Sequence, residues 1–190
     1  MKILLTLALL LAACTAPIAT RSPVPTRTIR VAIEDGSDMT GWFSSHRVAI
    51  ARVWPRLDAT GYRWIVDERN PELLVRTFDA HGCSRSAGEY LLGSRVVTID
   101  PACVHSDEEL IYAVMHEALH WWTWREFHWA GHLCKHAHDV ADCHPTVHGV
   151  GILSPVLGEE LDDFGVEISS ASANLSSDDL RLIDALRATR

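Results

Sequence analysis

The chain has 190 residues, with 25 acidic against 17 basic side chains and a formal net charge of −8 at neutral pH. That balance lacks the basic footprint of a nucleic-acid-binding protein, and its basic residues are nearly all arginine, Lys2 and Lys135 being the exceptions. Beyond the first 26 positions, about 165 residues suit one domain with one substantial core.

Met1-Lys2 is followed by an apolar run from Ile3 to Ala13. A charged start and so short a hydrophobic stretch read as an export signal, too short to span a bilayer as a mature helix. The run ends in Leu11-Ala12-Ala13-Cys14, which resembles the bacterial lipoprotein signal. That resemblance implies removal of residues 1–13 and lipidation of the Cys14 thiol, hence a protein tethered to a membrane of the bacterial envelope. A plain secretory signal cut nearby is the competing reading. Thr15 to Thr26 is rich in Pro, Thr and Ser, so 14–26 reads as a flexible tether and 27–190 as the domain. With Cys14 consumed, Cys83, Cys103, Cys134 and Cys143 remain. An even number in an exported chain suggests two disulfides, for which three pairings exist. Cys83–Cys103 and Cys134–Cys143 are favoured because they close short neighbouring loops. Zinc-binding cysteines are the weaker reading, since no C-x-x-C pair occurs.

Along the domain, Arg27 to Glu34 alternates and predicts a first strand. Trp42 to about Leu57 predicts a helix with Phe43, Val48, Ile50, Ala51 and Trp54 available for the core, bent or ended by Pro55. Tyr62 to Val66, Glu72 to Phe78 and Arg95 to Ile99 predict further strands, with Ala80 to Ala87 a loop held by Cys83. Ser106-Asp107-Glu108-Glu109 has the form of a capping box. Leu110, Ile111, Val114, Met115, Ala118 and Leu119 then form an apolar stripe at helical spacing. An irregular region runs from about Thr123 to Pro155. Ser176 or Ser177 is placed to cap a last helix, with Asp178 and Asp179 at its positive start and Leu180, Ile183 and Leu186 on one side.

On the capped helix lies His116-Glu117-Ala118-Leu119-His120. Residues four apart share one helix face, so the two imidazoles can grip one Zn²⁺. Glu117 beside them can take a proton from a zinc-activated water and pass it to a leaving amine. The plain alternative is an exposed helix with two chance histidines.

The element order and these five residues together resemble metzincin-type zinc peptidases, matrixin-like domains above all. Three segments add to the likeness. Arg95 to Asp100 leads to the helix as an edge strand does in that family. Gly151-Ile152-Leu153-Ser154-Pro155 resembles the Met-turn beneath the metal, and Leu175 to Leu180 resembles the start of the last helix. The resemblance implies an α+β, zincin-like fold: a twisted mixed sheet, an active-site helix and a C-terminal helix. It also implies one catalytic Zn²⁺, a protein or peptide substrate and Glu117 as general base and acid. Two positions depart from the pattern. Leu153 stands where the family has Met, a volume that Leu can fill. Thr123 and Glu126 stand where the family has Gly and the third His.

The third ligand is therefore open. Eight of the eleven histidines lie between His116 and His148. Gly131-His132-Leu133-Cys134 looks like a displaced third-ligand segment, making His132 the first candidate. A helix running straight to Ala130 would set His132 about 18 Å along the axis from His120. His132 then serves only if the helix stops near Thr123 and 124–130 loops out; otherwise His144 or His148 must return to the metal. His128, Glu126, Glu159 and Glu160 are the remaining candidates, while His136, His138, His46, His81 and His105 carry no pattern. Trp121, Trp122, Trp124 and Trp129 read as packing residues, or as one or two walls of a substrate cleft. Two other functions compete with a peptidase: a catalytically inactive zincin-fold binding module, and a metal buffer built on the His-rich 128–148 segment.

Overall fold

The computed structural model describes residues 27–36, 40–77, 83, 87–134, 143–148, 151–153 and 174–190. The signal, the tether, His136, His138, Glu159 and Glu160 lie outside the described residues.

Five strands form one mixed sheet: β1 (Arg27–Glu34), β2 (Tyr62–Val66), β3 (Leu73–Thr77), β4 (Gly88–Tyr90) and β5 (Val96–Ile99), in the order β2-β1-β3-β5-β4. The pairs β1·β2, β1·β3 and β3·β5 are parallel and only β4·β5 is antiparallel. Parallel neighbours need crossover connections, and the helical segment between β1 and β2 supplies one. The construction is thus α/β, not the α+β expected. Strand β1, flanked by β2 and β3, buries Ile29 and Val31 on one face, while Thr28 and Arg30 on the other are exposed.

The first predicted helix is two: α1 (Trp42–Ser45) and α2 (Arg47–Leu57), broken at His46. Pro55 sits in the last turn of α2 without stopping it. The buried face of α2 is Ala49, Ile50, Val53, Trp54 and Leu57, whereas Val48 is 68% exposed. The expected stripe was wrong by one position at Val48 and Ala51. Beside α2 runs α3 (Asp107–Phe127), which packs on β3, β5 and β4. Ser106 Oγ accepts from the Glu109 N–H at 3.2 Å, while the Glu109 carboxylate accepts from the His105 N–H. Ala113, Met115, Leu119 and Trp122 are all buried, so α3 is enclosed on most sides.

The end of α3 corrects the expectation that His132 needs a stop near Thr123. The helix continues to Phe127 and ends at His128, which adopts the left-handed conformation (φ 53°, ψ 36°). The His128 N–H returns to the Trp124 carbonyl at 2.8 Å and the Trp129 N–H to Thr123 at 3.4 Å. This chain reversal needs neither Gly nor Pro. Seven helical residues past His120 advance roughly 10 Å, and the five that follow reach roughly 16 Å when extended. His132 can therefore come back.

The last helix, α4 (Ser177–Ala188), carries a complete capping box between Ser176 and Asp179. Asp179, Leu182, Ile183 and Leu186 face inward, with Leu180 37% exposed. Both favoured disulfides are present, Cys83–Cys103 and Cys134–Cys143. They point to an oxidising, extracytoplasmic location. Among the described residues no helix is long and apolar enough to cross a membrane.

Candidate metal centre

His116 and His120 lie one helical turn apart on α3, with their Nε2 atoms 3.0 Å from each other. The His132 ring stands 5.6 Å from that of His116 and 4.7 Å from that of His120, centre to centre. One nitrogen from each of the three rings lies within 4.8 Å of the others. Nitrogens bound at 2.0–2.1 Å around a tetrahedral ion stand roughly 3.3 Å apart, so this group could hold a metal ion.

Tautomers agree with that use. His116 Nδ1–H donates to the Ile152 carbonyl at 2.6 Å, which leaves the Nε2 lone pair facing the other two rings. Burial pushes the His116 imidazole down to about 4, and the neighbouring His132 adds to the shift. Burial also drives His120 far down, with His116 and His132 adding to it. Neutral imidazole is the form that binds a metal.

Glu117 follows the first of these histidines and is buried. Burial raises its carboxyl to about 8; the charge of Glu89 adds to the rise and the Tyr90 N–H, donating to the carboxylate, opposes it. The backbone of β4 passes so close that a Cβ on Gly88 would lie 2.7 Å from Glu117 Cγ. The outer strand beside the site is thus β4, not Arg95 to Asp100, whose strand β5 lies one place inside. Three residues with a glycine give almost no sequence signal, although a glycine in a strand often marks close approach of another group.

The turn 151–153 lies against the site, with Leu153 fully buried where the resembling family has Met. Its position depends on Asp179, which is fully buried and accepts from the Ile152 and Leu153 N–H groups at 2.9 and 3.1 Å. Sequence reading placed Asp179 only at a helix start. A second role was signalled by its place on the inward face, one turn before Ile183.

The other ligand candidates are elsewhere. His144 is buried against Trp129, its Nδ1 accepting from the Thr146 and Val147 N–H groups. The His148 Nδ1 is buried without a hydrogen-bond partner, and neither residue belongs to the three-histidine group. His128 ends α3 with its ring against Trp124. Trp121 and Trp122 are core residues, whereas Trp124 and Trp129 are half-buried. Glu126 accepts from the Tyr62 hydroxyl at 3.0 Å and pairs with Arg27, Arg125 and Arg190 at 3.3–3.7 Å. Arg27 and Arg190 are about half exposed or more, so those pairs are weak. The buried carboxylate and its tyrosine bond carry most of the effect. Glu126→Ala is expected to cost ~1–3 kcal/mol in urea denaturation and to leave metal content per chain unchanged. Loss of the metal would make Glu126 part of the centre.

Compared with known protein families and with curated proteins, the chain matches none.

Proposed function

We propose that this chain is a zinc metallopeptidase of zincin-like, metzincin-type architecture, with His116, His120 and His132 as ligands and Glu117 as general base and acid. The observation that carries the reading is the convergence of three imidazoles at one point, with a buried carboxylate at the adjacent helix position. A pure storage site has no use for that carboxylate.

A zinc ion in this site would supply Lewis acidity to the scissile carbonyl and lower the pKa of an attacking water. Glu117 takes that water's proton and returns it to the departing amine. The Tyr90 N–H holds the carboxylate toward β4, and the Ile152 carbonyl keeps His116 in the tautomer that presents Nε2. The lipobox-like Leu11-Ala12-Ala13-Cys14 supports a reading in which the chain is anchored through Cys14 at a membrane of the bacterial envelope, with residues 27–190 as its domain and protein or peptide as substrate.

The test is zinc content of the purified chain together with hydrolysis of a fluorescently labelled unfolded protein. One zinc per chain is expected, with hydrolysis abolished by a chelator and restored by zinc, and with the metal lost in His120→Ala. No tightly bound zinc overturns the reading. One zinc without hydrolysis leaves a binding module, and several weakly held ions leave a metal buffer.

A further inference from the structure

Two of the three histidines are held by the hydrogen-bond ladder of α3; His132 is not. It lies beyond the helix end, in a single isolated bridge with Cys143. Its carbonyl accepts the His144 N–H at 2.9 Å, and the next residue's N–H, that of Leu133, donates to the Leu153 carbonyl at 2.8 Å. Leu133 is fully buried and Cys134 is 2% exposed. Cys134, two residues after His132, is bonded to Cys143, the bridge partner of His132, across a sequence separation of 9. The same short stretch therefore carries a ligand, a covalent clamp and the hydrogen bond that sets the ligand's backbone.

We infer that the Cys134–Cys143 disulfide is the positioning element of His132, so that cutting it weakens the metal centre. The inference rests on the metal reading above. A short closed loop removes most of the freedom that 143–144 would have relative to His132. Without it the two segments keep only non-covalent contacts, the His144 N–H bond to the His132 carbonyl among them. Groups that orient a ligand without touching the metal typically set 10–100-fold in affinity.

The clamp also makes the centre sensitive to dithiols. Cys143 is half-buried and is the more exposed residue of the pair. A thiolate of the dithiol attacks Cys143 Sγ, breaking the disulfide and forming a mixed disulfide with release of the Cys134 thiol. The dithiol's second sulfur then displaces Cys143. Two electrons and two protons pass to the protein, and the reagent leaves as its own disulfide. The Cys83–Cys103 bond closes the stretch that carries β4 and β5, ends before α3, shares no residue with the His132 clamp, and serves as the internal control.

The experiment measures zinc affinity of the full chain by competition with a chromophoric chelator. The chains compared are wild type, Cys134→Ser/Cys143→Ser and Cys83→Ser/Cys103→Ser. Serine cannot replace a thiolate as a zinc ligand, so freed sulfur does not mask the effect. The first variant is expected to bind one zinc 10–100-fold more weakly, while the second stays near the wild-type value. A wild type that binds zinc no better than Cys134→Ser/Cys143→Ser overturns the inference alone. A wild type that binds no zinc overturns it together with the metal reading. Should the first variant not fold, the zinc-loaded wild type is reduced with a dithiol and capped with iodoacetamide. The rate at which a chelator strips its zinc is then compared with that of the oxidised chain. Stripping at least tenfold faster is expected; an unchanged rate overturns the inference.

Discussion

Glu117→Gln is expected to abolish hydrolysis while zinc stays bound, and at pH 8–9 the metal-free variant is expected to be more stable than the metal-free wild type. The first half follows from the role of the carboxylate: glutamine cannot exchange a proton, and positioned acid–base groups contribute about 10²–10⁴-fold. The amide oxygen can still accept the Tyr90 N–H, so β4 need not move. The second half follows from burial. The carboxyl lies at about 8 in the folded chain against an ordinary value of 4.5. Between those values the folded chain keeps a proton that the unfolded chain has released, so stability falls as pH rises through the window. The full effect is reached above pH 8, with an upper bound of about 5 kcal/mol. Glutamine escapes it. Thermal unfolding of both metal-free chains at pH 5 and pH 8.5 reads the difference: near coincidence at the lower pH and a higher midpoint for Glu117→Gln at the higher. A variant less stable than wild type at pH 8.5 would show that the Glu117 carboxylate is stabilised in the fold. Retained hydrolysis would remove Glu117 from the chemistry.

How far the site could be read from sequence depends on whether its parts are set by local periodicity. His116, Glu117 and His120 were legible because four-residue spacing on a capped, apolar helix implies a shared face before any packing is known. The two disulfides were legible for a similar reason, since short loops leave few pairings. His132 was legible as a candidate, but its path was not. The return depends on a non-glycine residue, His128, entering the left-handed region after Phe127. No breaker marks that point. Strand β4 escaped because three residues around a glycine have no periodicity, and because which strand ends up outermost is decided by pairing between distant segments. The phase error on α2 is of the same kind. Both Val48 and Ala49 are apolar, and only packing against β2 and α3 decides which of them is covered. Asp179 was hidden by its sequence context, since an acid at a helix start has a sufficient local explanation.

That residue is also, among the described residues, a fully buried polar group. Its carboxylate accepts from the Ile152 and Leu153 N–H groups, the Ser176 N–H at 2.8 Å and the Ser176 hydroxyl at 2.9 Å, with no solvent exposure. It thus ties α4 both to its own cap and to the turn beneath the three histidines. The fit leaves no slack, because a Cβ on Gly151 would lie 2.2 Å from Asp179 Oδ2. Asp179→Ala strands these donors away from water and is expected to cost ~3–5 kcal/mol. Asp179→Asn does not rescue it. The amide replaces one accepting oxygen with an NH₂ that meets backbone N–H groups head on. Because the Ile152 carbonyl fixes His116 Nδ1–H at 2.6 Å, loosening the turn also loosens a candidate ligand. Zinc affinity is expected to fall 10–100-fold in chains that still fold. Urea denaturation of metal-free wild type, Asp179→Ala and Asp179→Asn, followed by chelator competition on the folded fraction, separates the two effects. Wild-type stability in Asp179→Asn would mean that the charge and its acceptor geometry do not hold the turn. Lowered stability with unchanged zinc affinity would mean that the turn supports α4 but not His116.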